Sequence, residues 1–571
     1  MKKLINKPDA VVSDMLRGMV SADDGLCLMP AHNVVLRADY QRLKDSVQVA
    51  LISGGGAGHE PAHAGYVGPG MLTAAVAGPI FTSPSVDAVL AAIRLTTGPA
   101  GCLLIVKNYT GDRLNFGLAA AIARSEGLAV EMVLVDDDVA LDTGASRAGA
   151  RGIAGTVLVH KVAGAAAADG MELTELVTLL EGFIQNVGSM GVALSPCINP
   201  SAGEASFALG ESEIEYGLGI HGEQGVSREE IAAAQTIAER LVERIVREKG
   251  LKNGDRVVLL ANGLGGTPPL EIAIMLGSAI TAARAHGLRV ERALSGTLLT
   301  ALEMAGISLS LARIDDRLIA MLDRQTRVSA WPDVTHPGAE PLLVKEPQAH
   351  DEDVAASLSP LSSAQQELLL QTVRATASAL IDAEEHLTTL DREVGDGDLG
   401  ISLARGARAV LTDIQKLNVR HPSATMKEIS RILRRSLGGT SGPLYAAFTL
   451  AISTRLGETG DVPDFGEWAA AMEAGCEAIS QLGGAQLGDS TMLDALIPAA
   501  KSLTASAQSG SGEAQALADA LAAAEQGTRS TAELKPRVGR ASYVGERAAG
   551  HVDPGAQAVT IWLRAIGQHF Q

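Results

Sequence analysis

The sequence is short of aromatics, of cysteine and of basic charge, and each shortage excludes something. Phe, Tyr and Trp together make 3% of 571 residues, and 47 Lys and Arg face 66 Asp and Glu, for a net charge of −19. No long Lys/Arg block occurs, so neither nucleic acid nor an anionic membrane is expected as a partner, because both need a basic face. The four cysteines, Cys27, Cys102, Cys197 and Cys476, lie far apart with no Cys-x-x-Cys pair. That argues against a structural zinc site or disulfide framework and fits a reducing compartment. There is no uncharged apolar run of about 18 residues to span a membrane. The basic start Met1 to Lys7 has no apolar stretch behind it. The expectation is a cytoplasmic protein.

What is present is ordinary globular material, 46% hydrophobic and 20% charged, long enough for several compact units of about 150 residues. The two halves read differently. Up to about residue 330, Val47 to Ser53, Cys102 to Lys107, Leu128 to Val135, Arg256 to Ala261 and Leu288 to Leu294 read as buried strands alternating with helical stretches, an α/β pattern in two lobes. Ser227, followed three residues later by Glu230, reads as a capping-box start to an amphipathic helix running to Glu248 and bridging the lobes. Between Pro332 and Pro360 five prolines sit among His, Glu and Asp, which predicts an extended linker. Beyond Leu361 strands vanish. Leu369, Val373, Ala377 and Ile381 form one helical face, and further helices are expected over Gly442 to Arg455, Phe465 to Ser480 and Glu513 to Gln526. The domains expected are therefore 1–331 (α/β), 332–360 (linker) and 361–571 (all-α). No repeat of fixed period is visible.

The sharpest local signal in the second half is the run Asp391 to Gly400, with Asp391, Asp396 and Asp398 on a glycine-rich turn. Crowded carboxylates raise one another's pKa unless cations intervene, and hard oxygen ligands in a short loop suit Mg²⁺ completed by substrate phosphates. An EF-hand fails, because the position for its bidentate Glu, counted from Asp396, is Ala407. An acidic helix-capping turn remains the plainer alternative. Gly438 to Pro443 precedes an apolar helix and offers backbone N–H groups to phosphate oxygens, or is a simple interhelical turn.

Five stretches in order, Gly395 to Asp398, Gly438 to Leu444, Gly488 to Asp494, Gly539 to Tyr543 and Asp553 to Ala556, resemble the nucleotide-binding L-type domain of the dihydroxyacetone kinase family. The resemblance implies an eight-helix barrel with two Mg²⁺ ions on Asp391, Asp396 and Asp398 under ATP. By the same resemblance, Leu399, Gly400, Ile401, Ser402, Thr440, Ser441, Gly483, Thr491, Met492, Arg540, Asp553, Pro554 and Gly555 line the nucleotide site. Ser490 departs from the family's usual basic residue, which leaves a charge contact there in question.

In the first half, Ser53 to Pro61 carries a glycine-rich turn after a strand. A dinucleotide fingerprint is disfavoured, because no acidic residue ends a second strand in a tight βαβ unit and His59-Glu60 stands where a pyrophosphate needs bare backbone. Lys107 to Asp112 follows a strand end, and Gly219 to Gly225 flanks His221 with glycine, which makes that imidazole accessible for attack on an electrophile. Each has a plain reading as a polar loop or an ordinary histidine. All three resemble elements of the K-type domain of the same family. The resemblance implies that His221 adds to a ketone carbon as a hemiaminal, that Asp112 is general base, that His59 hydrogen-bonds the substrate and assists proton transfer, and that Gly56, Ala57, Gly58 and Lys107 complete the pocket. Together the halves imply an ATP-dependent kinase of a small hydroxyketone, dihydroxyacetone first, acting as a homodimer with its active site formed across chains. Alternatives are a kinase of a four-carbon ketose such as erythrulose or of glyceraldehyde, an FAD-cyclising lyase activity, and a non-enzymatic binding module.

Overall fold

The computed structural model describes residues 2–141, 149–200, 203–344, 359–538, 542 and 550–570. The chain divides into two compact units, Met1–Val344 and Lys345–Gln571.

The first unit holds two six-stranded sheets. One contains β1 (Leu26–Met29), β2 (Val34–Arg37), β3 (Ala50–Ala57), β4 (Ala74–Ile80), β5 (Cys102–Lys107) and β6 (Val130–Val135), in the order β1-β2-β4-β3-β5-β6. Its strands β4, β3, β5 and β6 are parallel. The chain leaves β3 toward β4 and leaves β5 toward β6, so neighbours β3 and β5 send their connections in opposite directions. Open α/β sheets bind ligands at such a switch point, at the carboxyl ends of the strands. The other sheet contains β7 (Val187–Ala193), β8 (Glu213–Tyr216), β9 (Ser227–Glu230), β10 (Arg256–Gly263), β11 (Arg289–Gly296) and β12 (Gly306–Arg313), in the order β11-β10-β12-β7-β8-β9. The helix Thr156–Ala168 is apolar almost all round, and Val157 to Val159 are fully buried. Such a helix belongs inside a core, and it shares one hydrophobic cluster with residues of both sheets, among them Leu51, Leu103, Val258 and Leu260.

Three expectations need correction here. The glycines Gly54, Gly55 and Gly56 are not a turn after a strand but lie inside β3, opposite Val76, Ala77 and Gly78. A Cβ on Gly54 would stand 2.3 Å from the Val76 carbonyl oxygen, so the residues that looked like loop are what let two strands approach. Ser227 does not cap a helix. Ser227–Glu230 is β9, paired with β8 through Tyr216↔Ser227, and the helix begins at Ala234 without a side-chain cap. That helix buries Ile237, Leu241, Val242 and Ile245 in the core of the second sheet, so it belongs to one lobe and does not bridge two. From the proline-rich segment, Thr335 exchanges backbone hydrogen bonds with Ala293 of β11. Residues 345–358 lie outside the described residues.

The second unit is helical throughout its described residues. Ser363–Asp382 packs on Leu399–Asp413, followed in turn by Pro422–Ser436, Ser441–Gly457, Phe465–Gly483, Leu493–Ser509, Glu513–Ser530 and Pro554–Gly567, and the last closes back on the first. That is a ring of eight. A ninth helix, Glu384–Val394, packs on Leu399–Asp413 and Pro554–Gly567. The ring's core draws on Phe448, Ile452, Leu493, Leu496 and Leu563.

Candidate active site

The first site lies where β3 and β5 end. Gly58 N donates to both carboxylate oxygens of Glu60, at 3.1 and 3.0 Å, which closes the turn that presents His59. His59 is fully buried. Its Nδ1–H donates to the Thr300 carbonyl at 2.8 Å, so its Nε2 is an acceptor, and that nitrogen has no partner among the described residues. Burial first, then the charges of Lys107 and His221, hold the His59 pKa well below the usual histidine range. The Thr300 loop is fixed by Asn262, whose side chain bonds Leu298 N, Leu299 N and the Leu299 carbonyl.

His221 stands in the loop between β8 and β9. Its ring lies 4.8 Å from that of His59, 4.5 Å from Tyr109 and 5.5 Å from Phe81, centre to centre. The Glu223 carboxylate accepts from His221 N at 3.0 Å and from His221 Nδ1 at 3.2 Å. With Nδ1 protonated toward Glu223, Nε2 carries the lone pair. Gly219 is required for this, since a Cβ there would sit 2.1 Å from Glu223 Oε2. A cavity of about 500 Å³ opens beside His221, lined by Ser206, Phe207, Ala208, Gly222, Gln224 and Arg228.

Lys107 and Asp112 close the other side. Lys107 is fully buried and Asp112 is 4% exposed, the first at the end of β5 and the second in the first turn of the helix Thr110–Ser125. A Cβ on Gly55 would lie 2.8 Å from Lys107 Nζ and 3.4 Å from Asp112 Oδ2, so the missing side chain leaves room where both groups converge. Burial pulls the Lys107 pKa down, with Asp112 and Asp137 opposing. Gly56, Ala57 and Gly58 are all buried, and a Cβ on Gly56 would strike the Phe81–Thr82 backbone.

In the second unit the ligand oxygens of Asp391, Asp396 and Asp398 lie within 4.8 Å of one another. Asp391 Oδ2 accepts from Asp398 N at 2.9 Å and Leu399 N at 3.1 Å, which ties the end of one helix to the start of the next. Three clustered carboxylates in this geometry are a donor set of the kind Mg²⁺ takes. Leu399, Gly400, Ile401 and Ser402 form the first turn of Leu399–Asp413, Thr440 and Ser441 start Ser441–Gly457, Thr491 and Met492 directly precede Leu493–Ser509, and Asp553, Pro554 and Gly555 start Pro554–Gly567. Gly483 ends its helix. These starts converge. A Cβ on Gly555 would lie 3.3 Å from Met492 Cβ, and one on Gly438 would lie 3.8 Å from Ser402 Oγ. Asp553 caps its helix through Ala556 N at 2.7 Å, and its pKa is pushed up to about 7 by burial, against the Ala556 hydrogen bond and with help from Asp494 and Asp391. Gathered helix N-termini present N–H groups and positive dipole ends suited to phosphate. Ser490 is buried with its hydroxyl on the Thr531 carbonyl at 3.2 Å. Arg540 and most of Gly539 to Tyr543 lie outside the described residues.

The profile of the Dak1 domain matches residues 17–330 and that of the DAK2 domain matches residues 393–568. The chain belongs to the dihydroxyacetone kinase family. Relatives of this family align with it end to end. A protein of Solanum lycopersicum named putative 3,4-dihydroxy-2-butanone kinase is 44% identical, covering 99% of this chain and 97% of its own. The Homo sapiens triokinase/FMN cyclase is 41% identical over 99% and 98%. The crystal structure of the Citrobacter freundii dihydroxyacetone kinase in complex with AMP-PNP and Mg²⁺ superposes with a TM-score of 0.68 at 35% identity, covering 99% of each chain.

Within this family member, sequence reasoning missed several site residues. Glu223 lies inside the glycine-flanked run Gly219 to Gly225, and Gly219, whose missing side chain makes room for its carboxylate, is its signal. His63, whose Nε2 lies 2.6 Å from Lys107 Nζ, has no motif. Thr300 contributes a main-chain carbonyl from 241 residues away, which no side-chain pattern records. Arg405 stands beside Gly438, with its guanidinium 2.8 Å from where a Cβ would be, a cation in a strongly acidic chain.

Proposed function

We propose that this chain phosphorylates the terminal hydroxyl of dihydroxyacetone held covalently on His221, with residues 1–331 binding the ketone, 332–360 linking, and 361–571 holding the nucleotide. Membership of the family makes the chain an ATP-dependent dihydroxyacetone kinase. The observation that carries the finer reading is the Glu223–His221 pair, which leaves Nε2 as the nucleophilic nitrogen next to the open acceptor of His59.

In this reading His221 Nε2 bonds to the ketone carbon, the carbonyl π bond opens, its oxygen takes one proton from water, and the Nδ1 proton passes to Glu223, which returns one proton to water, so that the ring stays neutral and no net proton is gained. Glycerol has no carbonyl and is not retained. The tethered substrate turns its terminal hydroxyl into an oriented nucleophile. Asp112 accepts the hydroxyl proton as the oxygen attacks the γ-phosphorus and ADP leaves, His59 Nε2 accepts a hydrogen bond from the substrate, and Lys107 donates to a substrate oxygen. Bound Mg²⁺, two ions on Asp391, Asp396 and Asp398, neutralises and orients the phosphate oxygens. Leu399 to Ser402, Thr440, Ser441, Gly483, Thr491, Met492, Arg540 and Asp553 to Gly555 hold the nucleotide. The active form is a cytoplasmic homodimer, and a fully active preparation that sediments as monomer alone removes the cross-chain site.

The test is ATP turnover with dihydroxyacetone, D- and L-erythrulose, 3,4-dihydroxy-2-butanone and glyceraldehyde, beside His221→Ala and Asp396→Ala. Both variants lose turnover of dihydroxyacetone; undiminished turnover by His221→Ala overturns the covalent reading. The four-carbon ketones are included because the tomato relative bears such a name. The triokinase/FMN cyclase relatives favour a second activity, cyclisation of FAD by the nucleotide site. His221→Ala retains that activity and Asp396→Ala loses it.

A further inference from the structure

Behind Lys107 runs a buried line of side chains to which the phosphoryl transfer above gives no part. Lys107 Nζ lies 2.6 Å from His63 Nε2, His63 Nδ1 lies 3.3 Å from Ser53 Oγ, and His160 Nε2 lies 3.2 Å from the same oxygen. Lys107, Ser53 and His160 are fully buried and His63 is 5% exposed.

The direction of every hydrogen in this line follows from its far end. The Ile105 carbonyl has only lone pairs, so the hydrogen bond at 2.6 Å to Ser53 uses the serine's single hydrogen. Ser53 Oγ then only accepts, which requires Nδ1–H on His63 and Nε2–H on His160. Each ring has one hydrogen to give if it is neutral, and burial first, then the charge of Lys107, depresses both imidazoles, His160 to about 3. His63 Nε2 is left as a lone pair with Lys107 as its donor.

We propose that His63, set by Ser53 and His160, is a positioning residue that holds Lys107 Nζ at the open face of Gly55 so that its other hydrogens meet the oxygens of the ketone substrate. The proposal rests on the reading of Lys107 as a substrate contact. Without His63 the amine would lose its only acceptor in this line, and its long side chain would swing within the space above Gly55.

Three variants test it: His63→Leu, His63→Gln and Lys107→Met. A hydrogen bond to a charged donor corresponds to roughly a tenfold change in affinity. His63→Leu raises KM for dihydroxyacetone about tenfold and leaves KM for ATP unchanged, and His63→Gln, whose amide oxygen accepts near the same place, restores it. A folded His63→Leu with an unchanged ketone KM, while Lys107→Met raises it, overturns the positioning role alone. An unchanged ketone KM in Lys107→Met overturns both this role and the reading beneath it. Should His63→Leu fail to fold, ¹⁵N-histidine NMR of the native protein decides. His63 protonated at Nδ1 and His160 at Nε2, both neutral at pH 7, supports the arrangement; a cationic His63 or the other tautomer overturns it.

Discussion

A neutral imidazole has one nitrogen that donates and one that accepts, and the partner of the first decides the identity of the second. For His221 that partner is Glu223. Burial tends to raise the Glu223 pKa, but the hydrogen bond and charge of His221 and two backbone N–H groups outweigh it, and the carboxyl stays below its usual range. Glu223→Ala removes the group that selects the tautomer and anchors the loop, and a displaced reacting group costs on the order of 100-fold. Steady-state kinetics of that variant show kcat/KM for dihydroxyacetone down by about that factor, with KM for ATP unchanged. A loss shared by both substrates would mean that Glu223 supports the fold and not the imidazole.

At the scale of the strand, two neighbouring glycines of β3 do different work. A Cβ on Gly54 meets the rigid carbonyl of Val76 at 2.3 Å, whereas one on Gly55 meets the movable end of Lys107 at 2.8 Å. Gly54→Ala therefore destabilises by about 1–3 kcal/mol, the usual range for overpacking, read as a lower denaturant midpoint. Gly55 has a φ of +157°, so Gly55→Ala also loses stability, through backbone strain, and what sets it apart is a raised KM for the ketone, because the new methyl fills the room between Lys107 and Asp112. A ketone KM unchanged in folded Gly55→Ala, or raised equally in folded Gly54→Ala, would contradict this division.

The same strand shows what sequence patterns reveal and conceal. Cys102 to Lys107 is legible to its residue limits because five apolar residues closed by Lys107, between a glycine and a polar loop, are too few for a helix. Glycine is a turn residue by propensity, and only the neighbour β4 explains why it belongs in β3. Strands β4, β7 and β12 escaped, being rich in Ala, Gly and Ser whose place in a sheet is decided by pairing. The Asp391, Asp396 and Asp398 cluster was legible because all its members lie within eight residues. Ser53, His63 and His160, which line up behind Lys107, come from a strand, a loop and a helix, and only the fold brings them together.

For the whole molecule the balance of charge is the first constraint. A net charge of −19 opposes polyphosphate binding unless cations are recruited. Three carboxylates within 4.8 Å repel one another until a divalent ion joins them, so Mg²⁺ at about 100 times its Kd stabilises the protein by about 2.7 kcal/mol. Calorimetry shows the gain as a higher Tm for the transition of the second unit, and Asp396→Asn with Asp398→Asn abolishes it. The first unit responds to protons instead. His59, His63 and His160 are buried and neutral, with pKa values depressed chiefly by burial. In the unfolded chain these rings bind protons below about pH 6.5, while His160 in the fold resists down to about 3. The unfolded state thus holds more protons between those limits, and the histidine contribution to stability, complete above pH 6.5, is lost as the pH falls through that window. Each ring accounts for a slope of up to about 1.4 kcal/mol per pH unit. Buried carboxyls with raised pKa, such as Asp138 at about 6, act in the opposite sense over part of the range, so the difference between variant and native protein is the quantity to read. Denaturation midpoints between pH 4.5 and 7.5 show a shallower acid slope in His160→Leu than in the native protein by up to one proton; identical slopes would mean that His160 titrates in the fold as it does in water.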